Sequence, residues 1–187
     1  MTALTAAALV LWFGLTAASV LVWLPDRGSP TPRFARPWVL LAVIAVEVGL
    51  TATVAWLAAL GGPAPPPWSW LAVGVGSLAG LLTGGAVTFA TLALADASSR
   101  PSAARVQRTV LRGGAWIGGL ERLALFGTLM AGWPEGIVAI VAVKAFARYP
   151  ELKTGQATGA IERFIIGTFT SLGWAAGCAG IAMVFVP

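Results

Sequence analysis

The sequence predicts an all-α, polytopic membrane helix bundle of about six transmembrane helices, with both termini outside. Three observations carry this. Of the 187 residues, 58% are hydrophobic and 10% charged, against roughly 25% charged in a soluble domain, and mean hydropathy is +0.85. The apolar residues fall into runs of membrane-spanning length, cut by proline clusters and charges. The loops between those runs alternate between basic and non-basic. Such a chain cannot clothe a globular surface in polar groups. The composition therefore excludes an ordinary cytosolic enzyme, a disulfide scaffold and a disordered tail.

The first span runs from about Ala3 to Leu24, carries no charge and ends at Pro25. It lacks the basic start of a signal peptide, and its apolar stretch is longer than a signal core. The second runs from about Pro37 to Leu60, with proline tolerated in the first helical turn. The third starts near Trp68, after Gly-Gly-Pro-Ala-Pro-Pro-Pro, and ends near Ala95. The fourth runs from about Val110 to Trp133. The fifth is shorter, from about Glu135 to Tyr149, and should stop before Pro150. The sixth runs from about Thr158 to Val186. About 20 helical residues cross ~30 Å of hydrocarbon; five segments meet that length, and the fifth falls short. The chain reads as one transmembrane domain, 1–187, with largely apolar helices in 1–95 and charge-bearing helices in 109–187.

The loops orient the bundle. Loop one holds Arg27, Arg33 and Arg36; loop three holds Arg100, Arg105 and Arg108, with Arg112 just beyond; loop five holds Arg148 and Lys153, with Arg163 nearby. Loops two and four hold no basic residue. The positive-inside rule places loops one, three and five in the cytoplasm. Net charge +5 is thus read as orientation, and nucleic acid is not expected as a partner. Trp23, Trp38, Trp68, Trp70 and Trp133 stand at span ends, as in an interfacial aromatic belt.

Gly76, Gly80 and Gly84 lie on one face of the third span, with similar pairs at Gly114/Gly118 and Gly173/Gly177. Small residues let helix backbones approach where lipid supplies no hydrophobic drive. Tight internal packing and a homo-oligomer interface both fit. The third span is the better candidate for the interface, being uncharged before Asp96.

Charges within the spans are the candidate functional residues: Glu47 in span two, Glu121 and Arg122 in span four, Lys144 and Arg148 in span five, Glu162 and Arg163 at the start of span six, with Glu151 at the cytoplasmic mouth. A charged side chain at mid-membrane costs about 2.5–3.5 kcal/mol on insertion scales, so these groups should face the interior. Leu120-Glu121-Arg122-Leu123 with Gly127-Thr128 echoes Ile161-Glu162-Arg163-Phe164 with Gly167-Thr168. Adjacent residues diverge by about 100° around a helix, so Glu121 cannot satisfy Arg122 on its own helix. The expectation is that Glu121 and Glu162 pair with Lys144, Arg148 and the opposite arginines. Such a network could fix helix register, line a path for a small solute, ion or lipid, or meet another membrane subunit. Arg148, Lys153 and Arg163 could also hold anionic lipid headgroups.

Three stretches carry a resemblance: Trp116-Ile117-Gly118-Gly119-Leu120-Glu121-Arg122-Leu123, Ala142-Val143-Lys144 through Ala147-Arg148-Tyr149-Pro150-Glu151-Leu152, and Glu162-Arg163-Phe164-Ile165-Ile166-Gly167-Thr168 with Ser171. In this order they resemble the C-terminal membrane region of a bacterial family described only as a domain of unknown function, over about residues 112 to 175. Some members carry a His- and Asp-bearing motif near the N-terminus. This chain has no histidine, so a metal-dependent or hydrolytic role tied to that motif is not implied.

No His-Glu-x-x-His, Cys-x-x-Cys, Walker A loop or Gly-x-Ser-x-Gly elbow is present. Neither a catalytic residue nor a metal or cofactor is assigned, and Cys178 reads as a packing residue. The function expected is a small transporter or channel working through the Glu/Arg/Lys network. The alternatives are a non-enzymatic membrane subunit that stabilises or recruits an envelope protein, and an enzyme on a lipid-linked substrate with Glu121 or Glu162 as general base.

Overall fold

A computed structural model describes residues 1–23, 37–98, 114–153 and 158–187. Among them the chain forms six helices and no strand: α1 (Ala3–Trp23), α2 (Pro37–Gly61), α3 (Trp68–Ser98), α4 (Gly114–Met130), α5 (Gly136–Lys153) and α6 (Thr158–Phe185). The arginines of loops one and three lie outside the described residues.

Three helical stretches are long and apolar enough to cross a membrane by length and composition: Trp38–Gly61, Trp68–Asp96 and Ile161–Phe185. They point to membrane association. The distribution of apolar side chains points the same way. The α2 stretch is the most apolar of the three, yet only 17% of it is buried within the protein. Val46, Trp56 and Leu60 on α2, with Val10 and Phe13 on α1, stand exposed. A water-soluble protein rarely exposes so continuous an apolar surface; a protein solvated by acyl chains has no reason to cover it.

Local chemistry sets the helix ends. Thr2 caps α1, its Oγ1 accepting the Thr5 N–H at 3.1 Å. The same hydroxyl donates to the Gly61 carbonyl at 3.1 Å, which ties the start of α1 to the end of α2. The fourth helix stops at Met130, three residues before the expected Trp133. Gly132 takes φ +69°, its N–H bonds the Leu129 carbonyl at 3.0 Å, and the Trp133 N–H bonds the Thr128 carbonyl at 2.8 Å. This Schellman pattern consumes the last free carbonyls of α4. The fifth helix departs from expectation at its other end. It passes through Pro150 and continues to Lys153. Proline removes a single i→i−4 bond, and only one turn follows it here.

The helices assemble around α3, whose most extensive contact is with α6. α1, α2 and α4 each pack on α3, and α4 also packs on α6. Trp12 of α1, Phe126 of α4 and Ala182 of α6 all converge on Gly76 of α3. Around them lies a dry core that includes Ala8, Val54, Ala72, Ala79, Ala179 and Phe185. Trp12 stacks on Phe185 with ring centroids 6.0 Å apart, and the Ala64 N–H donates to the Phe185 carbonyl at 2.9 Å. α5 is peripheral and packs chiefly on α4, where Ile137 and Ile140 cover Leu125.

Candidate functional site

Contacts between helices fix a common depth scale. Thr5 of α1 meets Gly61 of α2, and Trp12 of α1 meets Gly76 of α3. Fourteen residues beyond Thr5 stands Ser19. Fourteen before Gly61 stands Glu47. Seven beyond Gly76, level with Ser19, stands Thr83. At an equal rise per residue, Ser19, Glu47 and Thr83 share one level, at the midpoint of the 31-residue α3. All three are buried.

Further polar groups gather around α3 at the same level. Trp174 of α6 donates its indole N–H to Thr83 Oγ1 at 2.6 Å, and Thr83 Oγ1 donates onward to the Ala79 carbonyl at 2.7 Å. Gly84, next along α3, faces Arg122 and Trp174: a β-carbon there would stand 3.0 Å from Arg122 Cδ and 3.0 Å from Trp174 Cδ1. Glycine is therefore what lets the Arg122 side chain pass between α3 and α6. Arg122 Nη1 donates to Ser171 Oγ of α6 at 3.0 Å. A band of polar groups thus crosses the middle of the bundle: Ser19, Glu47, Thr83, Trp174, Ser171 and Arg122.

Two members of that band are ionisable and almost fully buried, Glu47 at 5% exposure and Arg122 at 7%. Neither has an ion-pair partner among the described residues. Glu47 Oε2 and Arg122 Nε make no hydrogen bond. Glu47 lies within electrostatic range of Cys178, a buried free thiol on α6. Arg122 feels the charge of neighbouring Glu121, but that carboxylate is engaged elsewhere.

The expected charge network is met in one part and redrawn in the rest. Glu121 Oε2 pairs with Lys144 Nζ, joining α4 to α5, with both side chains largely buried. Arg163 pairs with Asp96 of α3 rather than with Glu121. Glu162 is exposed and joins neither pair. Arg122 answers to a hydroxyl rather than a carboxylate. The reason is azimuth: Glu121 and Arg122 leave α4 in directions about 100° apart, so one reaches α5 and the other reaches α6. Arg148 lies four residues after Lys144 and is half-buried. Glu151 is on the last turn of α5, with its side chain outside the described residues. Asp96, Thr83, Trp174 and Ser171 escape a reading based on intramembrane charge, although opposite charges near the same ends of spans three and six were a usable signal for Asp96 and Arg163.

The glycines divide as well. Gly76, Gly80 and Gly84 face neighbouring helices within the chain; a β-carbon at Gly80 would stand at an ordinary 3.7 Å from Ala175 and Cys178. A β-carbon at Gly118 would stand 3.4 Å from Arg122 Nη1. A β-carbon at Gly173 or Gly177 would meet nothing within 4 Å, so among the described residues no neighbour packs closely on that pair. Gly114 begins α4. Among the described residues no group of histidine, cysteine and carboxylates could hold a metal ion.

No protein-family model, curated protein or solved structure matches this chain.

Proposed function

We propose that the chain is a multi-pass protein of the bacterial cytoplasmic membrane that moves a small solute or ion across it. Six crossings put loops one, three and five in the cytoplasm and both termini outside. The alternation of basic loops supports this orientation. The resemblance to a domain-of-unknown-function family is part of the same proposal and adds no activity. Arg148, Lys153 and Arg163 sit where anionic headgroups of the inner leaflet would meet them.

One observation carries the reading. Glu47 and Arg122 are both buried at the level of mid-α3, and each keeps a polar atom without a partner. Leaving a buried charge unpaired costs several kcal/mol. A chain selected only for stability would replace both with apolar residues. Ionisable groups kept at this depth mark pathways and relays.

Flux through the purified protein in liposomes tests the proposal. The wild type should pass ions, protons or small solutes down an imposed gradient. Glu47→Gln and Arg122→Met should each lower that flux at least tenfold while still reconstituting. Absence of flux under every gradient sinks the reading.

A second reading is favoured by α5. This helix is anchored chiefly to α4, and Val138, Val143, Phe146 and Tyr149 stand exposed along it. A non-enzymatic subunit would meet its partner, or a second copy of this chain, on that face. A stoichiometric partner recovered in mild detergent supports the subunit reading.

A further inference from the structure

We propose that Arg122, Ser171 and Thr168 form a binding site for a small monovalent anion, of chloride or monocarboxylate type, between α3, α4 and α6. The proposal rests on the transport reading for its biological meaning, but not for its geometry. A guanidinium has five N–H donors. Arg122 spends one on Ser171 Oγ, and its Nε is buried with no acceptor. Glu121 is held by Lys144, and Asp96 by Arg163. Glu47, the other buried carboxylate of the band, is not paired with Arg122 among the described residues.

The second observation is independent of Arg122. Thr168 is 9% exposed, and its hydroxyl makes no hydrogen bond. A helical threonine ordinarily turns its hydroxyl back to the i−4 carbonyl. Thr16, Thr83, Thr88 and Thr91 all do so here. Thr168 does not. It stands one turn before Ser171, on the same face of α6. Arg122 with its unspent Nε, the Ser171 hydroxyl engaged with it and, one turn along the same face of α6, a second unspent hydroxyl follow one another, and an anion is the ligand that would satisfy both the cation and the free hydroxyl. The site lies between three helices, from the level of Gly84 toward that of Leu92, with Gly84 and Gly118 giving the guanidinium its room. The burial of Arg122 and Thr168 among helices suits a small free anion rather than a lipid phosphate.

The test is thermal unfolding of the whole detergent-purified protein at constant ionic strength, replacing sodium gluconate stepwise with chloride, bromide or acetate. The wild type should show a saturable rise in midpoint of several degrees. Arg122→Met should abolish the saturable rise, and Arg122→Lys should keep a weakened one. Thr168→Val separates binding from structure. If the hydroxyl were merely an unsatisfied polar group, valine would leave the anion response unchanged. If it binds the anion, the half-saturating concentration should rise about tenfold with baseline stability unchanged or raised. A wild type indifferent to these anions, or an anion response intact in Thr168→Val and in Arg122→Met, overturns the site. Saturable stabilisation without flux leaves the site standing and removes transport. Flux without any anion dependence removes the site and leaves transport.

Discussion

At the scale of single residues, the protein distinguishes between glycines that look equivalent. Gly76 and Gly80 are one turn apart on the same helix face. A β-carbon at Gly76 would come within 2.8 Å of the Trp12 ring and 3.1 Å of Ala182 Cβ. Trp12 is itself fully buried against Phe185, so it has nowhere to retreat. At Gly80 the same atom would make only ordinary contacts. Gly76→Ala should therefore destabilise the protein by about 1–3 kcal/mol, the usual cost of overpacking. Gly80→Ala should be neutral or stabilise by up to about 1 kcal/mol, since alanine favours the helix. Denaturation of the two variants in one detergent compares them directly. The spacing of these residues shows that they share a face. It does not show which neighbours fill that face, because that depends on the rotation and offset of helices remote in sequence.

At the scale of helices, the Glu121–Lys144 pair is the polar link between α4 and α5, and both groups are largely withdrawn from solvent. Removing one partner leaves the other charge buried alone, at a cost of about 3–5 kcal/mol. Glu121→Gln should accordingly weaken folding or expression strongly. Glu135→Gln, at an exposed turn, should do little. The reciprocal exchange Glu121→Lys with Lys144→Glu should restore much of the loss, read as the yield of folded protein. Arg163 and Asp96 are each more than a third exposed, and their pair should matter far less. The helices were legible in the sequence because long apolar runs punctuated by proline admit few other folds. Their partners were not. Sequence gives the depth of a charge along its helix but not its direction around the axis, and so Arg122 was expected to meet a carboxylate and meets Ser171. Pro150 misled for a related reason: a proline near a helix end breaks one bond, and a single remaining turn can still form.

At the scale of the whole molecule, apolar surface faces outward while the two buried ionisable side chains without an ion-pair partner among the described residues, Glu47 and Arg122, lie inside near mid-α3. The proposed orientation can be checked with single cysteines. Cys178 is buried, so the wild type should not react with a membrane-impermeant maleimide. Cysteines placed at Pro63 or Glu135 should be labelled from outside intact cells, and one at Arg105 only after the membrane is opened. Labelling of all three from one side would invert or break the six-span arrangement. The proposed orientation rests on the strict alternation of basic loops in the sequence. The band of hydroxyls and indole at mid-α3 was not readable, because serine, threonine and tryptophan are common in apolar helices and only packing reveals which of them converge.

The stack of Trp12 on Phe185, set beside Phe126 over Gly76, fills the half of the bundle where α1 begins. Large rings and close-fitting methyl groups pack that end. On the proposed transport reading, a solute entering at the far end, where Asp96 and Arg163 stand partly exposed, would leave through the ring-filled end only if these aromatic rings part.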